Sequence, residues 1–136
     1  MENVKTRYEK YIKTICEYFS NNGYTCSINY PLRKRHMKFI ADVLCKRDRE
    51  RVIIEFKEID FINKSVIKNL ALYSMFFDDA RWYLCIPSTT KLKPSVKTFL
   101  KHNGIGLIYI EDSNMKIAWP ATPYATLKTS WNTMIR

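Results

Sequence analysis

Three residues in the first half of the chain have types and spacing that suit metal-dependent hydrolysis. Asp42 interrupts one apolar segment, and Glu55 and Lys57 interrupt the next one along the chain. Carboxylate oxygens are hard ligands that suit Mg²⁺ or Mn²⁺, and a divalent ion can generate hydroxide near neutral pH and stabilise charge on a phosphate. A lysine beside the carboxylates can orient or deprotonate the attacking water. These residue types therefore indicate hydrolysis of a phosphodiester bond.

The apolar segments that carry these residues have the pattern of β-strands. Strand patterns occupy residues 24–32, 38–45 and 51–59, with polar turns between them. Because side chains alternate along a strand, Glu55 and Lys57 share a face, about 7 Å apart at the usual rise per residue. A carboxylate in a strand that is covered on both faces is unfavourable unless it is paired or binds a metal. In the alternative interpretation, Glu55 and Lys57 only form a salt bridge on an exposed face of the sheet.

The remaining patterns alternate helices with strands and predict a layered α/β fold. A helix at about residues 3–20 precedes the three strands, and a second helix after Asp60 has Asn63 or Ser65 as its N-cap. The later elements are a strand at 82–86, a helix from Pro94 to Asn103-Gly104, and strands at 105–110 and 115–119. This order predicts a mixed sheet flanked by helices.

The two acidic segments resemble the signature of the PD-(D/E)xK nuclease superfamily. Asp42 stands in Ala41-Asp42-Val43-Leu44, and after twelve intervening residues the next strand carries Glu55-Phe56-Lys57. Residues 3–110 also follow the helix-β-β-β-helix-β core of that superfamily, with Ala41 where the motif has proline. The resemblance implies a restriction-endonuclease-like α/β/α sandwich with a central mixed sheet, in which Asp42 and Glu55 bind the metal and Lys57 is the catalytic lysine.

The resemblance adds two candidates to this site. The backbone carbonyl of Phe56 would complete the metal shell, and many members also use an acidic residue on the first helix. Glu9 is the candidate because it lies at the flank of the apolar stripe, whereas Glu17 falls nearly opposite that stripe. Size, charge and core resemble the archaeal Holliday junction resolvases, although residues 29–39 lack the serine-glycine turn expected of those enzymes.

The chain is strongly basic, with 23 Lys and Arg against 13 Asp and Glu and a net charge of +10. Such a surface favours a polyanion, either nucleic acid or an anionic membrane. Cations concentrate in the two turns on either side of the strand that carries Asp42: Arg33, Lys34, Arg35, Lys38, Lys46, Arg47, Arg49 and Arg51. Any one of them is equally well explained as a solvated surface charge, but as a set they favour contact with nucleic-acid phosphates.

Other classes of site find no support in the sequence. His36 and His102 have no serine or cysteine partner in a recognisable nucleophile motif, and there is no glycine-rich phosphate loop. The four cysteines are widely and irregularly spaced, so we expect reduced thiols. With no apolar segment of about 20 residues and no apolar core near the start, we expect a cytoplasmic protein without membrane contact.

These features predict one nuclease-like domain at residues 1–120 and a C-terminal extension at 121–136 that forms an arm, a short helix or a dimer contact through Trp131. The expected function is that of a Mg²⁺-dependent endonuclease acting on duplex or branched DNA. The alternatives are a nucleic-acid-binding protein that has this fold without catalysis, and an RNA endonuclease. A homodimer is expected because two sites related by a two-fold axis can cut two strands.

Overall fold

A computed structural model describes the backbone of residues 4–135 and, within it, the side chains of residues 6–129. The helices are α1 (Val4–Asn21), α2 (Lys64–Phe76), α3 (Pro94–His102) and α4 (Tyr124–Ile135). The strands are β1 (Thr25–Lys34), β2 (Met37–Arg47), β3 (Glu50–Phe56), β4 (Phe61–Ile62), β5 (Arg81–Pro87), β6 (Lys91–Leu92), β7 (Gly106–Glu111) and β8 (Asn114–Trp119). In the described part of the chain, no helix is both long and apolar enough to span a membrane.

The main sheet is mixed and has the strand order β1-β2-β3-β5-β7-β8. β1, β2 and β3 form an antiparallel meander, β3, β5 and β7 run parallel, and β8 returns antiparallel to β7. Helices α2 and α3 connect the parallel strands, since such connections must cross back over the sheet. The predicted mixed sheet flanked by helices is confirmed.

The sheet separates two apolar clusters, each of which covers one of its faces. α1 packs on one face through Ile12, Ile15 and Phe19, in what we term the α1 cluster. α2 and α3 pack on the other face through side chains that include Ile67 and Leu100, in the α2 cluster. Burial of both faces explains why the central strands are nearly continuous apolar runs.

Local residue chemistry sets the ends of the helices. The Asn63 side chain accepts a hydrogen bond from the Val66 N–H at the start of α2, and Pro94 occupies the first turn of α3. Gly104 closes α3 with a φ of 69°, and a Cβ there would lie 2.5 Å from the carbonyl oxygen of Thr122. Glycine is therefore required both by the left-handed conformation and by the close approach of the C-terminal segment.

The segment from Ala121 onward contacts the rest of the domain both before α4 and along its first turns. The Thr122 N–H donates to the carbonyl of Gly104, and the Ala125 N–H donates to the carbonyl of Asp78. Lys128 lies 3.6 Å from the carboxylate of Asp78. The side chain of Trp131, predicted as a dimer contact, lies outside the described residues.

Halfway along the β1–β2 hairpin, the face of the strands that packs against α1 becomes the face that packs against α2. In β2, Val43 belongs to the α1 cluster, but Ala41, two residues away, belongs to the α2 cluster, and β1 changes in the same way. Regular alternation would keep residues two apart on one face. The change falls between the Ile28–Val43 and Tyr30–Ala41 pairs, at Asn29 and Asp42, which are left unpaired in the ladder, and Asn29 has a φ of 52°. The irregularity that reorients the hairpin therefore coincides with the acidic residue singled out in β2.

The expectation of four reduced cysteines is wrong for one pair. Cys26 of β1 and Cys45 of β2 lie directly opposite each other in the antiparallel ladder and form a disulfide, while Cys16 and Cys85 are free. The pairing depends on the register of the hairpin, which brings together residues 19 positions apart. Their spacing in the sequence carries no sign of that register.

Candidate active site

Asp42 and Glu55 meet where β2 and β3 stop pairing as strands. The last paired residues are Val43 and Ile54, and beyond them side chains replace the backbone ladder. The Asp42 N–H donates to Glu55 Oε1 at 2.8 Å, and the Phe56 N–H donates to Asp42 Oδ2 at 2.8 Å. Each carboxylate is thus anchored to the backbone of the neighbouring strand, and the two acidic groups are held together.

Glu55 and Lys57 both face α2 and line a small cavity of about 90 Å³ with Phe39, Asn69 and Tyr73 among its walls. Glu55 is 9% exposed, and Lys57 is partly buried. The two side chains do not form a salt bridge within 4 Å, although both are described. The simple alternative of a surface ion pair between them is therefore not what the structure contains.

The electrostatic environment of Glu55 disfavours its negative charge. Burial and, after it, the nearby negative charge of Asp42 raise the pKa of Glu55 to about 8, while the hydrogen bond from the Asp42 N–H and the positive charge of Lys57 oppose these effects. Two carboxylates held together away from water repel each other when both are ionised. A cation between them would remove that repulsion, so the site has the electrostatics of a cation-binding position.

A tyrosine of α1 completes the contacts of Asp42. The Tyr8 hydroxyl donates to Asp42 Oδ1 at 2.9 Å, and the Tyr8 ring packs edge-on against Phe56 with centroids 5.7 Å apart. Burial and the negative charge of Asp42 raise the pKa of Tyr8 above its usual value, so the hydroxyl remains a donor. Both oxygens of Asp42 are therefore fixed by protein groups.

The sequence does not single out Tyr8 as a site residue, because Tyr8 falls on the apolar stripe of the first helix. The hydroxyl of Tyr8 is the feature that could have indicated its role, since a buried tyrosine on an apolar stripe usually has a hydrogen-bond partner. Glu9, the acidic candidate on the same helix, is exposed, and Tyr8 rather than Glu9 contacts Asp42. One residue along a helix turns the side chain by 100°, which carries Glu9 away from Asp42. Its role as an acidic catalytic residue remains a prediction.

The donor set suits an ion that keeps several water or phosphate ligands. Among the described residues, no group of three or more His, Cys, Asp or Glu side chains could hold a metal. The protein side chains on offer are thus Asp42 and Glu55, and the carbonyl of Phe56 leaves the same edge of β3 as the N–H that bonds to Asp42. Mg²⁺ is bound in this way in many proteins, through one or two carboxylates together with water and substrate phosphates.

The predicted phosphate-binding cations do not form one patch. The β1–β2 turn lies towards the carboxyl end of β3, near Lys57, whereas the β2–β3 turn lies at the other end of β2, roughly 35 Å away for a strand of this length. The cations near the first turn are Arg33, Lys34, Arg35 and Lys38, and those near the second are Lys46, Arg47, Arg49 and Arg51.

Several of these cations already have protein partners. Lys34 Nζ lies 2.8 Å from the carbonyl oxygen of Phe76. Arg47 bonds to Glu50 at 3.1 Å and stacks over the ring of Tyr24. Arg33, Arg35 and Lys38 are exposed at the end of the hairpin nearer to Lys57, which makes them the better placed of the predicted phosphate contacts.

Solved structures with a similar fold exist, although sequence comparisons find no relative. No protein-family model matches the chain, and a comparison with curated proteins gives no significant match. A repair endonuclease from Pyrococcus abyssi superposes with a TM-score of 0.53 and 21% identity over 82% of this chain, which spans about half, 49%, of that protein.

Two other solved structures are similar over nearly their whole lengths. An XisH family protein from Nostoc punctiforme PCC 73102 has a TM-score of 0.54 and 12% identity, covering 81% of this chain and 97% of that one. An fdxN element excision controlling factor protein from Anabaena variabilis has a TM-score of 0.55 and 12% identity, covering 84% and 99%. At such identities the likeness concerns the fold alone, and that fold is restriction-endonuclease-like.

Proposed function

We propose that this protein is a metal-dependent endonuclease that hydrolyses phosphodiester bonds in DNA. The observation that carries the proposal is the arrangement of Glu55, which is buried, held against Asp42, and without a salt bridge to the lysine on its own face. A protein that buries Glu55 beside a second, half-buried carboxylate reduces its own stability, a cost commonly found at functional sites. The fold shared with a repair endonuclease supports the same reading.

In this proposal each residue has a defined task. Asp42 and Glu55 would hold Mg²⁺ or Mn²⁺, which when bound polarises the phosphate and lowers the pKa of water. Tyr8 and the Phe56 N–H fix the orientation of Asp42, so that its remaining lone pairs point in a constant direction. The Lys57 ammonium orients the attacking water or offsets the charge that develops on the phosphate.

The test is cleavage of a panel of linear, nicked, flapped and four-way DNA substrates, together with RNA, in the presence of Mn²⁺ or Mg²⁺. We expect Glu55→Gln and Lys57→Met to lower the rate at least about 100-fold while DNA binding is kept. Glu111→Gln and Lys97→Met are the matched controls, because both residues are exposed and lie on other elements. Failure of the wild-type protein to cut any of these substrates would refute the proposal, and cleavage of RNA alone would favour the RNA endonuclease.

One observation favours a second candidate, a nucleic-acid-binding protein of this fold without catalysis. Both carboxylate oxygens of Asp42 already accept protein hydrogen bonds, and the described residues offer no third acidic ligand. Titration calorimetry with Mn²⁺ separates the two candidates. Binding that is lost in Asp42→Asn supports the enzyme, whereas salt-sensitive DNA binding with no Mn²⁺ heat supports the binding protein.

A further inference from the structure

An apolar cleft of about 590 Å³ opens beside the candidate active site, between α1 and β1. Ile12 and Cys16 of α1 form one wall, and Ile28 and Asn29 of β1 form the other. Ile28 is 52% exposed even though it lies on the face of the hairpin that α1 partly covers. The cleft is therefore an apolar surface that the fold leaves open.

The cleft and the acidic site share structural elements. Tyr8 lines the cleft, and its hydroxyl donates to Asp42 at 2.9 Å, so this side chain contacts both the cleft and the Asp42 carboxylate, whereas Glu55 and Lys57 face α2. Asn29 also lines the cleft and stands opposite Asp42, where the β1–β2 ladder is interrupted. The distortion that holds Asp42 away from regular pairing thus also bounds the cleft.

We propose that this cleft binds an unpaired nucleobase of the nucleic-acid substrate while the adjoining phosphate lies at Asp42. The inference rests on the proposed function and deepens it, because it assigns to the enzyme a substrate with an unpaired or extruded base. Extruded bases are held between aromatic or apolar side chains, and stacking on an aromatic ring does not depend on sequence.

The chemistry of the walls favours a base over a phosphate. A phosphate needs positive charge and several hydrogen-bond donors, whereas the walls of the cleft are formed mainly by Ile12, Cys16 and Ile28. The charged groups that line the cleft, Glu9 and Lys13, are one acid and one base and offset each other.

The charge of the hairpin favours nucleic acid as the occupant. Arg33 is four residues beyond Asn29 on β1, about 13 Å along the strand, and is exposed. A nucleic-acid strand leaving the cleft along the hairpin would meet this cation.

Two exposed isoleucines of the same hairpin provide a matched test. Ile28 is 52% exposed and lines the cleft, whereas Ile40 is 54% exposed and is not among the lining residues. The substrates are an oligonucleotide duplex with one unpaired 2-aminopurine and the fully paired duplex of the same sequence, each made in DNA and in RNA. Binding is followed in EDTA by anisotropy and by 2-aminopurine fluorescence, so that cleavage plays no part.

We expect Ile28→Ala to weaken binding of the duplex with the unpaired base about fivefold or more and to abolish the change in 2-aminopurine fluorescence that accompanies binding. Binding of the paired duplex should be unaffected. Ile40→Ala should leave both substrates within about twofold. Equal effects of the two variants, or equal binding of both duplexes by the wild-type protein, would overturn the proposal.

Two further outcomes separate this inference from the proposed function. If Ile28→Ala changes sedimentation of the protein and leaves both duplexes unaffected, the cleft contacts a second copy and the inference is wrong. If the wild-type protein cuts DNA with Mn²⁺ but shows no preference for the unpaired base in EDTA, the proposed function stands and the base-binding cleft does not. Specific binding of the unpaired base by a protein that cuts neither DNA nor RNA with Mn²⁺ would support the base-binding cleft and refute the proposed function.

Discussion

Asp42 is held by more protein contacts than a residue in an apolar strand requires. Its backbone N–H bonds to Glu55, and its two carboxylate oxygens accept from Tyr8 and Phe56. Hydrogen bonds to an ionised carboxylate are stronger than those between neutral groups. At the scale of single residues, we therefore expect metal binding at the site to depend on how the Asp42 carboxylate is oriented as well as on its being a carboxylate.

Removing the tyrosine hydroxyl tests this dependence. Tyr8→Phe removes one hydrogen bond to the Asp42 carboxylate, of the kind that contributes about 1.5–3 kcal/mol. We expect weaker Mn²⁺ binding by calorimetry and roughly tenfold slower cleavage, with KM for DNA nearly unchanged. Tyr11→Phe, on the next turn of the same helix, is the control, and an effect of equal size there would assign Tyr8 a packing role only.

The raised pKa of Glu55 predicts how stability of the metal-free protein changes with pH. The folded state keeps a proton on Glu55 up to about pH 8, whereas the unfolded chain releases it near the ordinary value of 4.5. Between these values the folded state binds more protons, so stability falls as pH rises. Urea unfolding in EDTA should show a steeper loss from pH 5 to pH 8 for the wild type than for Glu55→Gln. Parallel curves for the two proteins would contradict the raised pKa.

At the scale of elements, the β1–β2 hairpin decides where the acidic groups lie. Its alternation predicted two strands, and both exist, but the pattern did not predict the change of face between Val43 and Ala41. That change follows from packing, because one half of the hairpin is covered by α1 and the other half by α2. Asn29, with its positive φ, accommodates the change in β1.

Substitution of Asn29 tests whether the left-handed conformation is needed. Asn29→Gly should keep the free energy of unfolding within about 0.5 kcal/mol, whereas Asn29→Ala should lower it by about 1 kcal/mol, since alanine is unfavourable at a φ of 52°. Urea denaturation of both variants provides the measurement. If alanine is tolerated as well as glycine, the backbone at this position relaxes and the change of face is not fixed by residue 29.

At the scale of the whole molecule, the positive charge is divided between the two ends of the hairpin strands. Only one of the two groups lies near the carboxyl end of β3, where Lys57 stands. Position along the strand, and not net charge, should therefore decide which cations contact a phosphate backbone that reaches the site.

Two triple variants with the same loss of charge compare these groups. Arg33, Arg35 and Lys38 form one set and Lys46, Arg49 and Arg51 the other, all exposed, and each set is changed to alanine. We expect the first triple to reduce the slope of log affinity against log salt concentration by about 2 to 3, as loss of phosphate contacts does, and the second to change it much less. Equal slopes for the two triples would show that net charge alone drives binding.

The homodimer is a proposal at the same scale. A two-fold arrangement would present two sites to two strands, and sedimentation velocity at micromolar concentration would detect it. We expect a species of twice the chain mass of 16.2 kDa that persists in high salt. A monomer across that range would assign double-strand cleavage, if observed, to two independent events.

The sequence by itself determined the elements and the candidate chemistry. Alternation, helical spacing and turn residues are local signals, and they correctly predicted the three consecutive strands, the helices that follow them and the mixed sheet. They also selected Asp42, Glu55 and Lys57 as candidates, because acidic and basic residues inside apolar strands are unfavourable without a reason.

Only the tertiary structure decided how these residues are surrounded. The bond from Tyr8 to Asp42 joins residues 34 positions apart, and the burial that raises the pKa of Glu55 depends on α2 lying across its strand. The change of face in the hairpin, the Cys26–Cys45 pair and the separation of the cations likewise depend on register and packing. Sequence periodicity reports which face of an element is apolar, but not which neighbour covers that face. The hydrogen bonds and the burial of the site come from those neighbours, and for that reason only the tertiary structure shows them.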